Sequence, residues 1–266
     1  MTKKLKFQLN GKNSEIELSE KELKMFSGES TFLDKKADDW EIADSFFSKD
    51  SVVPDVFRYI LKYTSNGVWK FFDMNEKDVD KFEIENDLKK IPAEGAKNII
   101  LILESPHKDE YEITNGKPVP KSPASGDSGK AIYALFTSHV LPILNSLGLE
   151  LNKSEKYNFC IVNPVPYQTS LVSIHQKSLD TGLRDKVWKV MYENLKDDFK
   201  SRLKKYKPFA VLNGCTSNLK DLLKDDIHEI TKCNIFNVNH PASWTISLSG
   251  FKIPEKKMLT NKQGIK

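Results

Sequence analysis

The stretch Asn98-Ile-Ile-Leu-Ile-Leu-Glu-Ser-Pro-His107 decides the fold of this chain. Five consecutive apolar residues, Ile99 to Leu103, lack the alternation of a half-exposed strand. Such a run is typical of a strand that is buried on both faces of a parallel sheet. The run ends abruptly in a carboxylate, a hydroxyl, a proline and a histidine. We therefore expect a buried parallel strand whose carboxyl end carries polar groups.

Helical and strand patterns alternate after this first strand. We predict helices over 129–148, 183–206 and 216–223, and strands over 157–162, 209–212 and 233–238. This alternation predicts an α/β fold with three layers, α/β/α, around a central, mostly parallel, four-stranded sheet. We assign residues 96–266, which end in a lysine-rich tail, to this main domain.

Residues 1–95 have a different pattern, and we predict that they form an N-terminal accessory region. A hairpin is expected over 5–18 around Asn10-Gly11, followed by a helix with Ser19 and Glu22 as a capping box. A second helix is expected to begin near Pro54 and to end near Asn66-Gly67. No polar residues in this region are arranged in a pattern that indicates chemistry.

Composition limits the classes of protein to consider. The 266 residues are 39% hydrophobic and 29% charged, which suits one core with a small attached module. No apolar run reaches the roughly 18 residues of a membrane span, and no apolar segment follows the basic start, so we expect no membrane partner and no secretory signal. We further expect a cytoplasmic monomer. Cys160, Cys215 and Cys233 lie far apart and predict buried thiols. The net charge of +4 permits a nucleic-acid partner without requiring one.

Polar motifs follow each of the four predicted core strands. They are Glu104-Ser105-Pro106-His107, Asn163-Pro164-Val165-Pro166-Tyr167-Gln168, Asn213-Gly214-Cys215-Thr216 and Asn239-His240-Pro241-Ala242-Ser243-Trp244. Open parallel sheets bind ligands outside the carboxyl ends of their strands. We therefore expect a carboxylate, an amide, a glycine at a helix start and a histidine to meet in one site.

These motifs, in this order, resemble those of the uracil-DNA glycosylase superfamily over residues 97–250. The segment 102–106 is similar to the first motif of the family, and 162–164 is similar to the segment with the base-reading asparagine. The segment 211–214 is similar to the penultimate strand and its phosphate-contacting turn, and 240–244 is similar to the last motif. The resemblance implies a monofunctional DNA glycosylase that hydrolyses the N-glycosidic bond of a flipped-out base and leaves an abasic site. It implies DNA as the partner and no cofactor or metal.

The resemblance also implies a role for each matching residue. Glu104 would stabilise the cationic sugar and orient water, His240 would donate to the base carbonyl, and Asn163 would read the pyrimidine edge. His107 and Ser105 are expected beside the base, and Trp244 is expected to act as a wedge that fills the gap left by the flipped base. Gly214 and the 125–130 loop would offer backbone amides at helix starts to the phosphates. The expected DNA contacts are Ser243, Gly214, Thr216, Ser125, Ser128 and Lys130.

Three departures from the family pattern bear on the substrate. The four cysteines of the iron–sulfur branch are absent, and Ser105 stands where other branches often have Asp or Asn. The segment 115–125 contains no aromatic residue to act as a platform under the base. A pocket without this flat floor would accept a bulkier pyrimidine as well as uracil. We therefore include a hypermodified cytosine of phage DNA, and a role in antiviral defence, among the expectations.

Each principal assignment has a structural alternative. Glu104 could cap a helix or pair with Lys108. Asn163 could be an ordinary turn residue before proline, and His240 could be a buried histidine with satisfied hydrogen bonds. Trp244 could be a core aromatic residue.

Two further functions compete with the glycosylase. A carboxylate cluster of Glu104, Asp109, Glu110 and Asp127 would suit a metal-dependent nuclease. A catalytically inactive DNA-binding module on the same fold is the non-enzymatic alternative.

Overall fold

The protein, as seen in a computed structural model, is a mixed α/β fold. Its structure describes residues 3–26, 32–36, 39–82, 92–175, 181–244, 246–247, 250–251 and 260–263. The chain forms two compact units, each built from separate segments. Unit 1 comprises 1–53, 105–121 and 164–197, and unit 2 comprises 54–104, 122–163 and 198–266.

The described elements are as follows. The strands are β1 (Lys3–Leu9), β2 (Lys12–Leu18), β3 (Leu33–Lys36), β4 (Asp39–Ile42), β5 (Val56–Tyr63), β6 (Trp69–Phe72), β7 (Lys97–Ile102), β8 (Tyr111–Thr114), β9 (Lys117–Pro120), β10 (Tyr157–Val162), β11 (Pro208–Asn213), β12 (Asn234–Asn237), β13 (Ile246–Ser247), β14 (Gly250–Phe251) and β15 (Thr260–Gln263). The α-helices are α1 (Glu20–Leu23), α2 (Asp127–Leu135), α3 (Leu141–Ser146), α4 (Val172–His175), α5 (Thr181–Tyr206) and α6 (Ser217–Ile230). A π-helical turn, Phe136–Val140, joins α2 to α3.

Unit 1 contains a four-stranded sheet in the order β2-β1-β4-β3. The predicted β1–β2 hairpin is confirmed, and its turn residues Asn10 and Gly11 both have positive φ, as a two-residue hairpin turn requires. The predicted capping box is confirmed as well, because Ser19 and Glu22 exchange hydrogen bonds at the start of α1. The segment 111–120, which includes part of the stretch without an aromatic platform, forms the β8–β9 hairpin.

Unit 2 contains the central sheet, in the order β15-β12-β11-β7-β10-β5-β6. Its four middle strands, β12, β11, β7 and β10, are mutually parallel, as predicted. Helices pack on both faces. The ring of Phe136 lies 4.7 Å from that of Phe159 on one face, and the ring of Tyr206, at the end of α5, lies 5.5 Å from that of Phe57 on the other. The faces differ because Phe57 pairs with Cys160, the neighbour of Phe159.

The sheet is larger than the four strands predicted, and the helix predicted after Pro54 is wrong. Residues 56–63 form strand β5, which pairs antiparallel with β10, and β6 extends the same edge. Two physical features favour the strand: the segment is rich in β-branched and aromatic residues, and its first six residues are all buried. Because β5 and β6 lie in the main sheet, residues 1–95 do not form a separate accessory region.

Within the part of the chain that the structure describes, no helix has the length and apolar character needed to cross a membrane.

Candidate functional site

The carboxyl ends of the four parallel strands lie in one row. Val162 pairs with Ile102, Ile102 with Asn213, and Asn213 with Asn237, so β10, β7, β11 and β12 end at the same level. Neighbouring strands in a sheet are about 4.8 Å apart. The polar motifs after the strands therefore start side by side, as the sequence predicts.

Glu104 lies at the start of α6. Its Oε2 atom accepts the N–H of Thr216, the N-cap residue of this helix, at 2.8 Å, and the residue is only 7% exposed. The partial positive charge of a helix N-terminus favours a carboxylate at this position. The helix-capping alternative for Glu104 is therefore observed, and the same contact holds the carboxylate at the edge where the four strands end.

Asn163 directly follows β10 and is 2% exposed. Its Oδ1 atom is buried and has no hydrogen-bond partner among the described residues. Its carbonyl oxygen accepts a hydrogen bond from Arg202 Nη2 at 3.1 Å, and the next residue is Pro164. A buried polar atom without a partner costs about 1–3 kcal/mol. Asn163 thus carries an unused acceptor whose cost a hydrogen-bond donor on a ligand would remove.

His240 is half-buried and is oriented by its own turn. The N–H of Ala242 donates to His240 Nδ1 at 3.2 Å, so in the neutral ring the proton is assigned to Nε2. Both the N–H and the hydroxyl of Ser243 donate to the His240 carbonyl, at 2.8 and 2.7 Å. Pro241 fixes the backbone between them. The turn therefore orients the His240 ring and leaves the proton of the neutral ring on Nε2.

Trp244 does not occupy an exposed wedge position. It is 3% exposed and belongs to the hydrophobic core of unit 2, together with residues such as Leu103 and Val238. Its Nε1–H donates to the carbonyl of Asn239 at 3.0 Å. A side chain packed in the core cannot enter a DNA stack without leaving that core. The wedge prediction is wrong, and the core-aromatic alternative is confirmed.

Two backbone amides just before α6 are already used inside the protein. The Gly214 N–H donates to the carbonyl of Ile102 at 2.9 Å, and the Thr216 N–H donates to Glu104. A Cβ atom at Gly214 would lie 3.1 Å from that carbonyl oxygen, so a close backbone approach accounts for this glycine. A phosphate cannot use these two amides while they make these bonds, which corrects the predicted phosphate contact at Gly214.

The loop before α2 is held by a buried arginine that sequence reasoning missed. Arg58, in β5, is 4% exposed and donates to the carbonyls of Pro123 and Ala124 and to the hydroxyl of Ser122. Ser125 is 5% exposed, and its hydroxyl donates to the Ser122 carbonyl at 2.6 Å. The Ser125 hydroxyl is therefore turned into the loop instead of towards DNA. A charged residue within the apolar stretch 56–61 was the signal in the sequence for Arg58.

The first turn of α2 leaves polar groups at the surface. Ser128 is half-buried, whereas Lys130 is exposed and pairs with Asp127 at 3.2 Å. Exposed pairs of this kind contribute about 0–1 kcal/mol, so Lys130 can exchange this partner for a phosphate at little cost. DNA contact through Ser128 and Lys130 stays a prediction.

Ser105 and His107 belong to unit 1. The hydroxyl of Ser105 hydrogen-bonds that of Thr169 at 2.7 Å. His107 is exposed, and its Nδ1 lies 3.2 Å from Asp109 Oδ2. Their predicted place beside the base stays a prediction. Sequence reasoning missed the buried polar residues Thr169 and Ser170 in this unit, although they directly follow Gln168, the last residue of a strand-end motif.

Lys220 is a further residue near the strand ends that the sequence did not indicate. Its Nζ donates to the carbonyl of Val238 at 2.6 Å, which ties α6 to the chain just before the His240 turn. Burial lowers the pKa of Lys220, while the nearby groups of Cys215 and Glu104 act in the opposite direction. Lys220 therefore adds a half-buried amine to this end of the sheet.

Metal ligation receives no support from the described residues. Among them, no three His, Cys, Asp or Glu side chains come together in a way that could hold a metal ion. The carboxylate cluster proposed for a nuclease is therefore not formed within this part of the chain. The three cysteines form no disulfide there, and burial raises the pKa of the Cys160 thiol.

No protein-family model, no curated protein and no solved structure matches this chain. The resemblance to the uracil-DNA glycosylase superfamily therefore stays a prediction that depends on the four motifs.

Proposed function

We propose that the protein is a monofunctional DNA glycosylase that acts as a cytoplasmic monomer on uracil or a modified pyrimidine. The observation that carries the proposal is the buried Asn163 Oδ1 atom without a partner, next to the strand that leads to Glu104. Hydrogen-bond donors on the edge of a flipped-out pyrimidine would satisfy this acceptor.

The proposed reaction assigns one task to each residue. The bond between the sugar carbon and the base nitrogen breaks, and its electron pair leaves with the base. The Nε2–H of His240 donates to the base oxygen as negative charge develops there. The negative charge of Glu104 stabilises the cationic sugar. The oxygen of the attacking water forms a bond to the sugar carbon, and the carboxylate accepts a proton from this water. That proton returns to solvent, and the released base anion takes up one proton from solvent. The products are the free base and an abasic site.

A direct assay tests the proposal. The wild type is incubated, with and without EDTA, with single strands and duplexes that contain uracil, hydroxymethylcytosine or glucosylated hydroxymethylcytosine, and abasic sites are revealed by alkaline cleavage. We expect release of at least one base. His240→Ala should slow that release by about 10²–10³-fold, which corresponds to roughly 3–4 kcal/mol.

Two results would contradict the proposal. Strand cleavage without prior alkali that EDTA abolishes would identify a metal-dependent nuclease. DNA binding with no base release from any of these substrates would identify a binding module. The Glu104–Thr216 contact favours this second candidate, because it gives Glu104 a structural role without catalysis. If a hypermodified cytosine is the base released, a role in defence against phages follows.

A further inference from the structure

Arg202 connects the long helix α5 to the residue that we assign to base recognition. Its guanidinium donates to three oxygen atoms of unit 2: Asn163 O at 3.1 Å, Asp55 Oδ2 at 2.5 Å and Asp198 Oδ2 at 2.7 Å. Arginine donors are arranged in a rigid planar fork, so contacts made by different nitrogens fix the group in one orientation. The Asn163 carbonyl is thereby held by a rigid donor.

The Asp55 carboxylate holds the Arg202 guanidinium in place. Its carboxylate is 4% exposed and also accepts the hydroxyl of Tyr206 at 2.8 Å. Burial raises the pKa of Asp55, while Arg202 and Tyr206 act in the opposite direction. Burial lowers the pKa of Arg202, but the charge of Asp55 and its hydrogen bond raise it by more. Removing one member of a buried pair is costly because it leaves the other uncompensated. The Asp55–Arg202 pair thus keeps the donor to the Asn163 carbonyl in a fixed position.

The backbone of Asn163 is restrained by the next residue in the sequence and by a hydrogen bond to its carbonyl. Pro164 disfavours the helical region for the residue before it. Arg202 holds the carbonyl of the same residue. A fixed backbone limits the directions in which the side-chain amide can point, and the buried Oδ1 atom has no partner within the described residues to hold it instead. The orientation of this acceptor therefore depends on Arg202, on Pro164 and on Asp55, whose carboxylate accepts a hydrogen bond from the backbone of Asn163.

We propose that Arg202, anchored by Asp55, is a positioning residue that sets base specificity by fixing the backbone of Asn163. This inference rests on the proposed function. Arg202 acts through Asn163, so its loss should weaken recognition of the base more than it slows the chemical step. A merely structural arginine would lower stability without changing which base is preferred.

The test compares Arg202→Met, Asn163→Ala and the double variant, on the full chain. Binding is measured to duplexes that carry the excised base on a 2′-fluorinated sugar, whose glycosidic bond resists hydrolysis, and to matched duplexes with an ordinary base. We expect Arg202→Met to reduce the preference for the target base by about 10–100-fold. The double variant should be no worse than Asn163→Ala, because both changes remove the same recognition.

Two controls separate positioning from folding. Asp198→Ala removes an exposed partner of the same guanidinium and should keep the preference within about twofold, as weak surface pairs do. Arg202→Lys keeps the charge opposite Asp55 but not the rigid fork, and it should bind with intermediate preference even if Arg202→Met is too unstable to purify.

The possible outcomes distinguish the positioning role of Arg202 from the proposed function of the protein. If the wild type releases a base and Asn163→Ala loses the preference while both Arg202 variants keep it, the positioning role is overturned and the proposed function stands. A double variant clearly worse than Asn163→Ala would likewise overturn positioning through Asn163. If the wild type releases no base from any substrate, the proposed function fails and the inference fails with it.

Discussion

Replacing Trp244 with alanine distinguishes a core residue from a DNA-inserting one. Trp244 is 3% exposed and packs in the core of unit 2. A buried aromatic side chain removes about 150–250 Å² from water, which at about 25 cal/mol per Å² corresponds to roughly 4–6 kcal/mol. Alanine retains part of this burial, and measured costs of such substitutions are about 3–5 kcal/mol. We expect Trp244→Ala to lower the free energy of unfolding by that amount.

Urea unfolding followed by far-UV circular dichroism measures this change. Leu222→Ala, at a 45% exposed position on α6 of the same unit, is the matched control and should stay within about 0.5 kcal/mol of the wild type. Trp244→Phe should fall between the two, because it keeps an aromatic ring but loses the hydrogen bond to the Asn239 carbonyl. A loss below about 1 kcal/mol for Trp244→Ala, together with loss of base excision from duplexes alone, would refute the core assignment.

Three further predictions concern the framework around the site. Gly129→Ala should destabilise by about 3 kcal/mol or more, since its Cβ would lie 1.9 Å from the Ala124 carbonyl oxygen; urea unfolding checks this, and wild-type stability would contradict it. Arg58→Met leaves the carbonyls of the 122–124 loop without their donor, so limited trypsin digestion should cut faster after Lys121, and unchanged cleavage would count against the role of Arg58. Burial raises the pKa of Glu22, but capping-box hydrogen bonds and a neighbouring ammonium group lower it by more, to below 4.5. The ionised carboxylate thus contributes stability above pH 4.5, and this stability is lost as the pH falls through the pKa of the folded state. The difference in free energy of unfolding between the wild type and Glu22→Gln should therefore shrink in acid. A difference that stays constant with pH would exclude this contribution.

The sequence predicts the middle of the sheet well for a physical reason. Residues 99–103 form a continuous apolar run, residues 157–162 are apolar except for Asn158, and a strand covered on both faces buries such runs completely. The segment 56–61 is also apolar, but it is short and follows a proline, which suits a helix start equally. Its strand conformation is decided by pairing with β10, a contact made about 100 residues away in the chain.

The division into units could not be predicted from local pattern. Each unit combines three separate segments, so no shift of composition along the chain marks its boundary. The same limit applies to the site. The polar groups at the strand ends follow from register, but the burial of Trp244 depends on packing across the sheet, and the link from Arg202 to Asn163 spans 39 residues with no motif.

The contact between Glu104 and the Thr216 N–H is compatible with a helix-capping role and with a catalytic role. The two roles need different chemical properties of the side chain. A cap needs only an acceptor oxygen, because its task is to satisfy one backbone N–H at the start of α6. Stabilising a cationic sugar needs a full negative charge. Glutamine has nearly the same shape as glutamate and keeps an acceptor oxygen but has no charge. Glu104→Gln should therefore preserve the free energy of unfolding to within about 1 kcal/mol if the residue is only a cap, and leave any base release unchanged. If Glu104 is catalytic, the same substitution preserves the fold and stops base release, so stability and rate respond differently to this one change.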